Sequence, residues 1–181
     1  MEIIAFKHWL LTWTCHGQWL PGDRRGFVGH VRQADGTRTI HNRYGTPCDA
    51  DMPALEEYIR QRMAGPPVTL SRHDAETVMA QMRETAEAKA WRLEAASVAF
   101  NHGHVVVGLG NEEDSRLAMT QLKAWGTRAL KRTRPVPAGG SFWTAKGSRR
   151  CLTDAHAIRA AVRYVAEKQK NALAVWRAEE G

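Results

Sequence analysis

A chain of 181 residues that is 43% hydrophobic and 25% charged can bury one real core, which excludes a wholly disordered chain. No apolar run approaches the roughly 20 residues that span a bilayer, and the start, MEIIAFKHWLLTW, lacks the basic opening and small-residue cleavage site of a signal peptide, so an intracellular, cytoplasmic protein is expected. Cys15, Cys48 and Cys151 are odd in number and far apart, which argues against a disulfide framework or a Cys-x-x-Cys zinc site, and the net charge of +7 points to an anionic partner.

The segment IIAFKHWLLTWTCHG is β-branched and aromatic and predicts a strand ending at Gly17. A polar stretch rich in Gly and Pro follows, from Pro21 to Pro67, interrupted by DMPALEEYIRQRM, where Asp51 is placed to cap and Pro53 to open a short helix. Loops of this length are uncommon without a task, so residues 21–70 read as a binding or gating insertion in a single domain spanning 1–181.

SRHDAETVMAQMRETAEAKA has Ala75, Val78, Met79, Met82 and Ala86 at helical spacing behind Ser71 and Asp74, a capping-box pattern. RLEAASVAF predicts a strand, NHG a tight connection, and HVVVGLG the hairpin partner. EEDSRLAMTQLKAWGTRALKRT predicts a second helix with Ala118, Leu122, Trp125 and Ala129 facing inward. After the breaker RPVPAGG, SFWTAKGSRRCLT predicts a strand or extended arm. The last helix starts at the cap Asp154 and buries Ile158, Ala161, Val162 and Val165. The order of the first six elements is the split βαβ of a ferredoxin-like α+β fold, an antiparallel sheet with helices on one face, and the seventh is an additional C-terminal helix.

Charge is concentrated between Ser115 and Thr153, where Arg116, Lys123, Arg128, Lys131, Arg132, Arg134, Lys146, Arg149 and Arg150 stand without an acidic residue. Such a block attracts nucleic acid through counterion release, and the interleaved Trp125, Phe142 and Trp143 are suited to stacking on unpaired bases. Lys123, Arg128, Lys131, Arg132 and Lys146 are the candidate phosphate contacts, with a merely solvated basic face as the plainer reading. Arg24 and Arg25, in PGDRRG, are candidates to grip a nucleic-acid stem, and Trp13 and Trp19 divide between core and stacking roles.

In FNHGHVVVGLG, a strand would put His102 and His104 on one face about 7 Å apart, within reach of one metal ion. The same pattern also arises where a strand simply leaves a polar loop. On the last helix, Tyr164 sits beside the apolar stripe, with Glu167 and Lys168 sharing its face at i+3 and i+4.

Together these features resemble the single-tyrosine HUH transposases, in particular the REP-associated tyrosine transposases and similar insertion-sequence enzymes. The resemblance rests on LLTWTCHGQWLPGDRRGF, NHGHVVV, FWTAKGSRRCLTD and IRAAVRYVAEKQ; Phe100 stands where the family usually has proline, and Gly103 fills the position between the histidines. It implies a Tyr164 nucleophile that cuts and rejoins single-stranded DNA near a hairpin, with His102 and His104 holding Mg²⁺ or Mn²⁺, in a monomer or homodimer. Relatives carry Gln or Asn at i+4 from the tyrosine, where this chain has Lys168. Glu167 is therefore the expected third ligand and Lys168 a phosphate contact, because Gln169 at i+5 points roughly 140° away in an ideal helix. A single-strand or hairpin binder without chemistry and a metal-dependent nuclease using water are the alternatives.

Overall fold

The computed structural model describes residues 6–25, 29–32, 35–41 and 52–179. A five-stranded antiparallel sheet is built from β1 (Phe6–Thr14), β4 (Arg92–Ala99), β5 (His102–Gly110), β6 (Ser148–Leu152) and β7 (Ala172–Arg177), in the order β6-β1-β5-β4-β7. The helices are α1 (Pro53–Arg60), α2 (Arg72–Ala88), α3 (Ser115–Leu130) and α4 (Ala155–Glu167). A separate hairpin pairs β2 (Gly29–Arg32) with β3 (Arg38–His41) around Asp35-Gly36, with Gly36 at φ 84°, a conformation that glycine adopts without a Cβ penalty.

Strands β6-β1-β5-β4 and helices α2 and α3 reproduce the expected split βαβ. The central strand β5 explains why its sequence is a near-continuous valine run: both of its faces are covered. Val105, Val107 and Leu109 enter a core with Leu11, Trp13, Val78, Met82 and Leu122, beneath α2 and α3. Val106 enters a second, smaller core with Ala95, Leu152, Ala161 and Val165, beneath α4. Helices α2 and α3 thus share one face, as the split βαβ requires, and the additional last helix covers the opposite face. Strand β7, unforeseen in the sequence, then pairs with β4 as an added edge.

Local chemistry fixes the helix starts. Ser71 Oγ accepts from the Asp74 amide at 3.1 Å while Asp74 Oδ2 accepts from the Ser71 amide at 2.9 Å, completing the capping box of α2. Asp154 Oδ1 accepts from the Ala157 amide at 2.8 Å and starts α4. Helix α1 does open on Pro53, with Met52 at the cap position; Asp51 and Cys48 lie outside the described residues.

Three aromatic residues differ from their sequence-based placement. Phe142 and Trp143 are buried, the latter edge-on to Trp13 with centroids 6.3 Å apart, so they are core residues and cannot stack on bases. Trp125, read both as inward-facing and as a ring suited to stacking, is 39% exposed with the Arg128 guanidinium 4.3 Å from its ring centre; Gly126 faces inward beside the expected Leu122 and Ala129. Among the described residues, no helix is long and apolar enough to cross a membrane.

Candidate active site

His102 and His104 project from β5 on the α4 side of the sheet, because Val106, two residues further on, shares their face and packs under α4. Their rings stand edge to face with centroids 4.8 Å apart. Each Nδ1 is engaged from behind. His104 Nδ1 lies 2.8 Å from Thr12 Oγ1, whose residue is directly opposite in β1, and His102 Nδ1 donates to Asn101 Oδ1 at 2.6 Å. Bonds of this kind fix ring orientation, and where Nδ1 donates, as in His102, Nε2 keeps its lone pair available. Burial favours the neutral rings: it pushes His104 down to about 4, with the neighbouring His102 adding to the effect and Gln169 opposing it. His102 is also lowered, first by burial, with Gln169 opposing and the positive charge of Arg25 assisting.

Tyr164 meets this pair from above. Ala161 and Val165 seat α4 on the sheet, which puts Tyr164 on the flank of the helix, 44% exposed, with its ring centre 5.4 Å from that of His104 at 77°. The tyrosine helix therefore folds back onto the sheet of its own chain.

Gln169 completes the cluster, and Glu167 does not. Helix α4 ends at Glu167; Lys168 is the cap, its amide bonding to the Tyr164 carbonyl, and the Ala172 amide then bonds to the Gln169 carbonyl as the chain reverses into β7. This reversal invalidates the ideal-helix projection and swings Gln169 towards the imidazoles, with Oε1 3.4 Å from His102 Nε2. Glu167 points the other way, to Arg177 at 3.4 Å. A neutral imidazole nitrogen and an amide oxygen that face each other both present lone pairs, an arrangement that suits an electron-poor ligand. Two imidazoles and one carboxamide fit Mn²⁺ well and Mg²⁺ with retained waters. Among the described residues no group of three His, Cys, Asp or Glu side chains could hold a metal ion; the oxygen beside the two imidazoles is the Gln169 amide.

The cations are divided by the sheet. Lys168 lies beside Tyr164 in a groove of about 320 Å³ along the outer side of α4, with Arg159 and Arg163. Arg25 lies over the ring of Trp19, 4.6 Å from its centre, and is paired with Asp23; Arg24 is exposed next to it. Lys146 is exposed in the segment that runs beside the end of β1, where the Thr144 amide bonds to the Thr14 carbonyl. Arg150, opposite Leu10, faces the α4 side as well. By contrast Arg128 lies in α3, and Lys131 and Arg132 follow directly at its C-terminal end, in the layer across the sheet from the histidines. Lys123 is removed from the phosphate-binding set: its Nζ donates to the carbonyls of Thr144, Ala145 and Lys146, and burial lowers its pKa.

Thr12, Asn101 and Gln169 were not legible as site residues. Thr12 becomes visible only once β1 and β5 are paired in register, and Gln169 only once the helix is known to stop.

No protein-family model matches the chain, and no curated protein matches it. Among solved structures it is similar to a REP-associated tyrosine transposase bound to a REP hairpin, at 11% sequence identity and a TM-score of 0.45, over 91% of this chain and 68% of that one.

Proposed function

We propose that this protein cuts and rejoins single-stranded DNA by transesterification, with Tyr164 as the nucleophile and a divalent ion, Mg²⁺ or Mn²⁺, held by His102, His104 and Gln169. The observation that carries this reading is the meeting, within one chain, of a half-exposed phenol, two neutral imidazoles with their Nε2 atoms unclaimed by the backing bonds, and an amide oxygen. A monomer suffices for such a site.

The chemistry balances without a co-reactant. The Tyr164 oxygen attacks phosphorus in line, forming a bond to the 5′ phosphate as the bond from phosphorus to the 3′ oxygen breaks. The net transfer of the phenolic proton to that oxygen yields a 3′ hydroxyl and a 5′ phosphotyrosine. Attack by a 3′ hydroxyl reverses the step and reseals a strand. When bound, the divalent ion supplies polarisation of a nonbridging phosphate oxygen. His102, His104 and Gln169 are all neutral, so they leave the ion's charge undiminished for the phosphodiester. Lys168 adds positive charge beside Tyr164, and the grip on a hairpin stem next to the cleaved strand is assigned to the exposed Arg24, with Arg25 held beside it by Asp23 and the Gln18 carbonyl.

The test is to incubate the protein with labelled single-stranded oligonucleotides of several sequences, each containing a hairpin, with Mn²⁺ or Mg²⁺. A protein-DNA species that survives denaturation is expected, and Tyr164→Phe should abolish it while DNA binding persists. Cleavage by the Tyr164→Phe protein would make water the nucleophile. Binding without cleavage by the wild-type protein would leave a hairpin or single-strand binder.

A further inference from the structure

A second cleft, of about 610 Å³, lies on the other flank of α4, between the helix and the starts of β1 and β4. Its floor depends on a missing side chain. His8, Gly108 and Arg92 are opposite one another across β1, β5 and β4, and a Cβ at Gly108 would come within 3.0 Å of His8 Nε2. The bare glycine lets His8 reach over the middle strand to Glu94 Oε1, at 2.9 Å, with which Arg92 Nε also forms an ion pair at 2.8 Å. Glu94 Oε2 and the terminal nitrogens of Arg92 have no partner among the described residues. The helix side supplies an apolar wall, Ile158 and Val162, beside Arg159 and Arg163, neither of which forms an ion pair among the described residues; Glu167, paired with Arg177, and Glu179 also line the cleft.

We propose that this cleft seats one unpaired nucleotide of a single strand, its phosphate on Arg159 and Arg163, its base against Ile158 and Val162, and an exocyclic amine of the base on Glu94 Oε2. The assignment rests on the reading of the chain as a handler of single-stranded DNA, and it follows from the order of the surfaces: cationic rim, apolar wall, recessed carboxylate. A nucleotide presents the complementary sequence of anion, flat ring and polar edge, and the volume is ample for one. Adenine, cytosine and guanine carry an amine that projects beyond the ring and reaches a recessed acceptor. Thymine offers instead an N–H set between two carbonyl oxygens, which the carboxylate repels. Because Arg159 and Arg163 line both this cleft and the groove beside Tyr164, a strand can pass over them from one to the other.

The test uses the Tyr164→Phe protein in EDTA, so that neither cleavage nor metal is required, and follows amide shifts in β4 and α4 on titration with each deoxynucleoside 5′-monophosphate. The three amino-bearing nucleotides should bind at least about tenfold more tightly than dTMP, as expected for a base-edge hydrogen bond. Glu94→Gln should narrow that difference and Arg163→Ala should weaken all four alike. Should Glu94→Gln fail to fold, Val162→Phe, which narrows the cleft, should remove binding instead. A ten-residue oligodeoxyadenylate should displace dAMP. Equal binding of all four nucleotides, no binding, or failure of the strand to compete would overturn the proposal, whatever the outcome at Tyr164. Selective binding without any covalent adduct would refute the transesterase reading alone.

Discussion

Acidifying the metal-free protein should destabilise it through His104. Its imidazole is 6% exposed and held at about 4, against an ordinary value of 6.5. Between these values the unfolded chain binds a proton that the folded chain refuses, so stability rises with pH there. The contribution is fully present above about 6.5, shrinks as the pH falls, and is exhausted near 4. The whole interval corresponds to about 3 kcal/mol, of which about 2.5 kcal/mol is lost by roughly pH 4.5. The assay is urea unfolding in EDTA, followed by tryptophan fluorescence, at pH 7.5 and 4.5. His104→Gln cannot titrate, so its loss over the same interval should be smaller than that of the wild type by about 2 kcal/mol. His102, lowered in the same direction, is present in both proteins and cancels. Equal losses in the two proteins would mean that His104 is solvated, and the site as described would be wrong.

Removing a ligand separates the two candidate oxygens: Gln169→Ala should weaken Mn²⁺ binding, measured by calorimetry, at least about tenfold, whereas Glu167→Ala should leave it within about twofold. The exposed Glu167–Arg177 pair contributes at most about 1 kcal/mol to stability, so both variants should fold. Lys123→Met should lower stability by about 1–3 kcal/mol by stranding the carbonyls of Thr144 and Ala145, yet leave the salt dependence of DNA binding unchanged. Lys168→Ala should instead reduce the slope of log affinity against log salt by about 1 without loss of stability.

The sequence made the sheet legible where periodicity and punctuation coincide. Ser71 and Asp74 marked the start of α2, Asp154 that of α4, and HVVVGLG the hairpin strand β5. Short elements were lost. The hairpin of β2 and β3 was announced by Asp35-Gly36 between alternating residues, but it lay in a stretch dominated by glycine and proline. ALAVWR has the composition of a strand, yet six residues after a helix read equally as its continuation.

That last omission explains the error at Gln169. A chain that must turn at Lys168 to pair β7 with β4 cannot continue the helix, and the residue that an unbroken helix would direct away is folded back onto His102. Burial caused the other departures. A basic residue such as Lys123 looks like any phosphate contact until three carbonyls are found around it, and Phe142 looks like a stacking ring until the core closes over it. The histidines and Tyr164 were legible because their chemistry is rare at that spacing, while Thr12 and Asn101, which orient the rings, are ordinary residues whose role depends on register.

Peptide mapping of the covalent product by mass spectrometry addresses the central claim most directly. After reaction of the wild-type protein with a hairpin-bearing single strand and Mn²⁺, followed by nuclease and protease digestion, a nucleoside 5′-phosphate should be found on the peptide containing Tyr164. Its appearance on another residue, or cut strands with a free 5′ phosphate and no modified peptide, would contradict the account.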